Sequence, residues 1–481
     1  MRRAFGGTVA WRGGTAGALF GRMRLGHSLA LTVFAVSIAS SAQAQPQPEG
    51  SSMASFDKEL DALFAPGGLT ADQASKRAVN ASPTVRRAAA SLDVSIAVAR
   101  SAELALVPRI GVTLTYTRLS PLDPVIFAPG TPGITFADNQ YGAQGSIAIR
   151  LSDYLSQYPN LIAGARLGID AARAGKRTSE VGAGQDGRLA YYEWVRARLQ
   201  VMVARRQLVQ VRATLGQVRA LAEAQRLSTA DRMRVESQEA EAEQIVDQLQ
   251  NLVALREEQL RLLIGAGTEP LLIGEDIRTE VSAPGTQPLD DLMATAVRQR
   301  LEFVQLDFGI AAKDKQREAE KSNLYPRLSA FVIGDNARPN QRIFPQVDKF
   351  RPTWQAGLAL SWTLNETLNT RATMRRLSAE TRELRADREN LERGTRIEVL
   401  AAQQAVTLAQ RSLKTSQKGL AAAEESYRVR QALLGAQRAT AVELVDAETE
   451  LTRARITSLN ARIDLRVALA QLTHALGNDT K

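Results

Sequence analysis

The sequence predicts a mainly α fold that also carries part of a membrane β-barrel, built from duplicated strand hairpins and long coiled-coil helical hairpins. Three observations carry this reading. Leu106-Val107-Pro108-Arg109-Ile110 recurs as Leu324-Tyr325-Pro326-Arg327-Leu328, an offset of 218 residues that extends back without a gap to Val79 and Val297 and aligns Leu92 with Ile310. Each Pro-Arg pair stands between a segment of helical periodicity and one of strand periodicity. Each pair of strands is then followed by about 110 residues of helical pattern, from Asp153 to Gly265 and from Leu364 to Leu476.

The first 44 residues hold Arg2, Arg3, Arg12, Arg22 and Arg24 but no acid, then an apolar run Leu29 to Ala39, then Ala42-Gln43-Ala44. This is the pattern of a secretory signal peptide with a small-x-small cleavage site, and Met23 as the start would still leave a complete leader. The apolar run is well short of the roughly 18 residues that a spanning helix needs. Later segments are interrupted by charges at short intervals, so any membrane crossing must use strands.

Cysteine is absent, which excludes disulfides, thiolate metal sites and an N-terminal lipid on cysteine. Only His474 remains once His27 leaves with the leader, so triads and histidine-based zinc sites lack raw material and no cofactor is expected. Net charge falls from +10 to +5 when the five leader arginines are removed. An excess of that size, spread along helices, is no nucleic-acid footprint.

The expected strands lie at about 109–118, 141–151, 327–334 and 354–364. Ile110, Val112, Leu114 and Tyr116 alternate with Gly111, Thr113, Thr115 and Thr117, and Trp354, Leu358 and Leu360 alternate with Gln355, Ala359 and Ser361. One face is apolar and the other polar. Alternation alone fits the hairpins of a soluble sandwich equally well; the length of about ten residues per strand and the secretory leader favour a tilted membrane strand. Four strands cannot close a barrel, so several chains must each contribute four.

In the helical segments Leu208, Val211, Leu215 and Val218 repeat at 3-4-3 spacing, as do Leu444, Ala447, Leu451 and Ala454, the seam of helices packed side by side. An unbroken rod of about 110 residues would run to roughly 165 Å, so each segment folds back once. The breaks fall around Arg226 to Asp231 and Leu434 to Arg438. The expected organisation is a leader at 1–44, an extension at 45–67, a first repeat at 68–267, a linker at 268–288, a second repeat at 289–477 and a tail at 478–481. Gly-Ala-Gly at 182–184, inside a helix and without a P-loop lysine, reads as a flexible or closely packed spot. The Arg-rich stretch Arg371 to Arg396, interleaved with Glu380, Glu383, Asp387 and Glu392, reads as a salt-bridged exposed face.

Over about Leu69 to Gly477 the chain resembles the TolC-type outer-membrane efflux family. The resemblance rests on the opening helix Leu69-Thr70 to Ser82-Pro83, the junctions at Pro108 and Pro326, and the run Val442-Glu443-Leu444-Val445-Asp446-Ala447. It implies a homotrimeric α/β-barrel duct, with twelve strands among outer-membrane lipid above a long periplasmic α-barrel. It also implies docking on a periplasmic adaptor joined to an inner-membrane pump that supplies the energy, with no enzyme activity in the duct itself. The family's closing tyrosine is not matched in position, since Tyr427 lies sixteen residues before Glu443, and Gln437 and Ala439 stand where the family's Gly and Arg are expected. The resemblance therefore carries the two acids and not the closing network.

Glu443 and Asp446, three residues apart, share a helix face. The residues alone allow them to be solvated charges on a coiled-coil surface; the resemblance implies a ring of carboxylates at a periplasmic constriction. Leu227, Ser228 and Thr229, with Leu434, Gly435 and Ala436, turn the chain at the hairpin ends and are the candidates for adaptor docking. The rival reading is a soluble periplasmic coiled-coil scaffold or adaptor.

Overall fold

The computed structural model describes residues 58–123, 130, 137–224, 229–279, 281, 287–344, 346–436 and 438–480. These lie in one compact unit, Gly50–Lys481. The leader and most of the expected extension lie outside the described residues.

A short strand β1 (Phe64–Leu69) leads into helices α1 (Ala71–Ala81) and α2 (Pro83–Leu104). Thr70 caps α1 in a reciprocal box with Gln73, and Ser82 caps α2 with Pro83 in its first turn. Strands β2 (Arg109–Arg118) and β3 (Asn139–Arg150) follow, then α3 (Leu151–Leu155), α4 (Gln157–Glu223) and α5 (Thr229–Ile264). The second copy repeats the order with α6 (Leu289–Gln299), α7 (Leu301–Lys321), β4 (Arg327–Arg338), β5 (Arg351–Ser361), α8 (Leu364–Gly435) and α9 (Ala441–Ala475).

In both copies the strand begins at the residue after the junction proline, because Pro disfavours a helical conformation in the residue before it. Tyr325, ahead of Pro326, is accordingly extended at φ −103° and ψ 156°. Leu151 and Leu364, read from alternation as the ends of strands, are instead the first residues of helices. Apolar residues two apart suit the first turn of a helix as well as a strand end, so period two does not locate the boundary.

The four long strands form one antiparallel sheet in the order β2-β3-β4-β5. Ile110 faces Ile147, Ile147 faces Val332, and Val332 faces Ala356, so one face of the sheet is largely apolar, although Phe331 and Ile333 of β4 point the other way. Thr113, Gln144, Asp335 and Thr353 occupy successive paired positions on the other.

Below the sheet, α4 runs past several shorter partners in turn. Near the sheet it packs on α2 and α7, with Arg166 bonded to Glu103 at 3.1 Å; further along it packs on α5, where Arg212 bonds Glu239 at 3.1 Å and also reaches Glu243. Leu208 with Val246, and Leu215 and Val218 with Val235, form the seam of that hairpin. Tyr427, Ala447 and Leu451 form the seam of α8 with α9.

The Arg-rich face of α8 is bridged mainly to its neighbour, through Lys313 with Glu380 and Asp307 with Arg388, each at 2.8 Å. The Gly-Ala-Gly segment is closely packed at its second glycine, where a Cβ on Gly184 would lie 2.7 Å from Ser75 Oγ.

The largest core joins the copies midway along the helices. Trp194, Tyr191, Leu260 and Ile463 are buried there against Ile273 and Ile277 of the inter-repeat connection. Arg466, nearly fully buried, ties that connection down by donating to Ile277 O at 3.0 Å, Thr279 O at 2.9 Å and Glu275 at 3.1 Å. A second core packs α6 and α9 on α8 around Val399, Ala296 and Ala475.

Candidate functional site

The surfaces able to act are the sheet, the hairpin ends, and the rims where helix meets strand. On the sheet, Leu114 is 78% exposed and Trp354 75%, with Ile110, Val112, Leu358 and Leu360 similarly bare. Covering each such side chain is worth about 2 kcal/mol, so a face of six is a strong demand for an apolar surrounding. Tyr116, Tyr141 and Phe350 cluster at the loop end of that face, with ring centroids 5.2 Å and 6.5 Å apart in succession. Amphipathic rings in that position suit a membrane interface. The outer edges of β2 and β5 are unpaired among the described residues. No helix among the described residues is long and apolar enough to cross a membrane.

At the far end, Thr440 caps α9, its hydroxyl accepting from the Glu443 N–H at 3.3 Å. This fixes the first turn and sets Glu443 and Asp446 on its exposed side, while Val445 and Ala447 are buried, Ala447 against Tyr427 of α8. Glu443 is not a free charge: Arg430 of α8 lies 3.7 Å from it. Asp446 has no ion pair among the described residues, so it is the less compensated acid of the two.

Of the hairpin-end residues, Leu227 and Ser228 lie outside the described residues, and Thr229 is the exposed first residue of α5. Leu434 and Gly435 end α8, and Ala436 is an exposed turn residue. Tyr427 is buried in the hairpin seam against Ala447 and Leu451, just over two turns inside the helix end.

Sequence reasoning missed Glu448. It points from α9 into a small polar cavity shared with Gln207 and Gln210 of α4, Tyr427 of α8, and Arg455. Burial pushes its carboxyl up to about 7, against the bonding of Gln210 and the charges of Arg455 and Arg206. Its only sequence signal is an acid one residue past a heptad-seam position, which is common on exposed coiled-coil surfaces. Among the described residues no cluster of His, Cys, Asp and Glu could hold a metal.

A sheet with one lipid-compatible face, continued by long helical hairpins from both copies, defines a membrane channel subunit with a helical extension. Residues 292–478 match the family model "Outer membrane efflux protein". No curated protein matches the chain in sequence. In fold it is similar to the CmeC outer membrane channel of Campylobacter jejuni, at TM-score 0.71 and 11% identity over 88% of each chain. CusC, whose structures describe folding and transmembrane channel formation, matches at TM-score 0.71 and 15% identity over 86% of this chain and 93% of its own. The open state of the MtrE outer membrane channel of Neisseria gonorrhoeae matches at TM-score 0.70 and 15% identity over 85% and 88%.

By the match of its second repeat, and by a fold shared with solved outer-membrane channels over most of its length, the chain is similar to the outer membrane efflux proteins. It is an outer-membrane efflux channel with a periplasmic helical extension; the family that its second repeat matches is not enzymatic, and channels of that family form trimers.

Proposed function

We propose that three copies close into one twelve-stranded barrel over a continuous helical tube. This assembly is a passive exit duct for a tripartite efflux or type I secretion system. The observation that carries the reading is the sheet itself: four strands, two free edges and one bare apolar face. Joining β5 of one copy to β2 of the next removes every edge when the ring closes, and lipid covers the apolar face. The polar face of Thr113, Gln144 and Thr353 then lines a water-filled lumen.

At the periplasmic end, three copies of Asp446 and Glu443 form a carboxylate ring on the axis, with Arg430 moderating the second. Such a ring draws in cations and disfavours anions. Leu227, Ser228, Thr229, Leu434, Gly435 and Ala436 lie at the hairpin ends and form the docking surface for a periplasmic adaptor joined to an inner-membrane pump. Energy and choice of cargo belong to the pump.

The test is planar-bilayer conductance of the detergent-purified protein against a Glu443→Ala, Asp446→Ala variant. Conductance that rises and loses cation preference in the variant supports the ring. Unchanged conductance and selectivity remove the acids from the constriction and leave them as solvated surface charges.

A further inference from the structure

The junction prolines are explained by the helix-to-strand transition, but the arginine that follows each of them is not. Arg109 is the first residue of β2 and Arg327 the first of β4, and the last residue of β3 is Arg150. Three of the four strands thus carry arginine at their helix-side end. The register sets all three on one face: Arg109 pairs with Ala148, two residues from Arg150, and Arg150 pairs with Ser329, two residues from Arg327. That is the polar face, opposite Ile110, Leu328 and Leu360.

The remaining charges of that face, Asp335 and Arg351, lie towards the loop end and offset each other. At the helix-side end the buried Asp153 lies 3.6 Å from Arg150. Arg327 bonds the Asn323 side chain, and Arg150 is partly spent on Asp153. The Arg109 side chain is exposed and shows neither hydrogen bond nor ion pair among the described residues.

We infer that Arg109, Arg150 and Arg327 form a cationic collar at the neck where the β-barrel opens into the helical tube, and that it favours anionic cargo. The inference rests on the closed-barrel reading, which turns the polar face inwards. Three copies bring nine guanidinium groups to one rim of the lumen, three of them paired with the buried Asp153. A ring of one sign in a narrow passage walled by low-dielectric material concentrates counter-ions there. Guanidinium forks match carboxylate and phosphate groups in particular. The collar and the carboxylate ring at the far end are separate filters on one path, of opposite sign.

The collar is tested by the reversal potential of single channels in a KCl gradient. Arg109→Gln, which breaks no bond, and the double variant Arg109→Gln, Arg327→Gln are compared with wild type. The expected result is a chloride-to-potassium permeability ratio that falls with one substitution and severalfold with two, and that Arg109→Lys with Arg327→Lys restores. A conducting double variant with the wild-type ratio overturns the collar and leaves the arginines as ties between strand and helix. Failure of the wild type to conduct at all overturns the barrel reading itself, and the collar with it.

Discussion

Glu448→Gln should stabilise the protein at alkaline pH and leave it unchanged in acid. The carboxyl titrates near 7 in the folded chain, against an ordinary value of 4.5, because burial in the α4–α9 cavity outweighs the bond from Gln210 and the charges of Arg206 and Arg455. Between those two values the folded state holds a proton that the unfolded state has released. Stability therefore falls as pH rises through this window; the penalty is absent below about 4.5 and fully developed above about 7. The difference corresponds to about 3 kcal/mol per chain. Gln keeps the shape and the hydrogen-bonding capacity but never ionises. The assay is the unfolding midpoint of wild type and variant in detergent between pH 4.5 and 8.5. The two curves should meet at the acid end and separate in favour of the variant as pH rises. A constant difference across the range, or one that widens towards acid, would refute the reasoning and mean that Glu448 is ionised in the folded protein throughout.

The same reasoning gives three further expectations. A Cβ on Gly187 would lie 2.5 Å from Ala78 Cβ and 2.9 Å from Ala74 O, so Gly187→Val should force α1 off α4 and cost about 1–3 kcal/mol, read from the thermal midpoint. Arg466→Ala strips the buried donors from Glu275, Ile277 and Thr279 and should cost about 3–5 kcal/mol, with faster amide exchange through the inter-repeat connection. Thr440→Ala removes the α9 cap and should cost about 1 kcal/mol, concentrated as faster exchange in the first turn around Glu443, with little change at Trp194.

Much of the fold was legible because two periodicities and two prolines mark it. Period two along Ile110 to Tyr116 gave a strand with a bare face, and the seam Leu208, Leu215, Val218 gave the first hairpin, because in both cases one face is buried or lipid-facing and the other is not. The ends of β3 and β5 were less legible, since Leu151 and Leu364 fit either period. Partnerships between distant segments were not legible at all. Nothing in the local sequence says that Arg430 moderates Glu443, that Glu448 meets Gln210 across the hairpins, or that Arg466 holds the inter-repeat connection. Each of these depends on the turn that brings two helices together, and polar residues on a coiled coil look alike until the neighbour is known. The arginine collar lies between these cases: the repeated Pro-Arg pairs are visible in the chain, but only the register shows that Arg150 joins them on one face.

The most direct test of the account is thiol labelling of the reconstituted protein, since the chain has no cysteine of its own. Thr113→Cys lies on the polar face of β2 and Leu114→Cys on the apolar face next to it. In lipid vesicles a water-soluble maleimide should label Cys at 113 rapidly and spare Cys at 114, in a particle whose protein mass is that of three chains. Equal labelling at both positions, or a single-chain particle, would contradict a lipid-facing barrel built from three copies of this sheet.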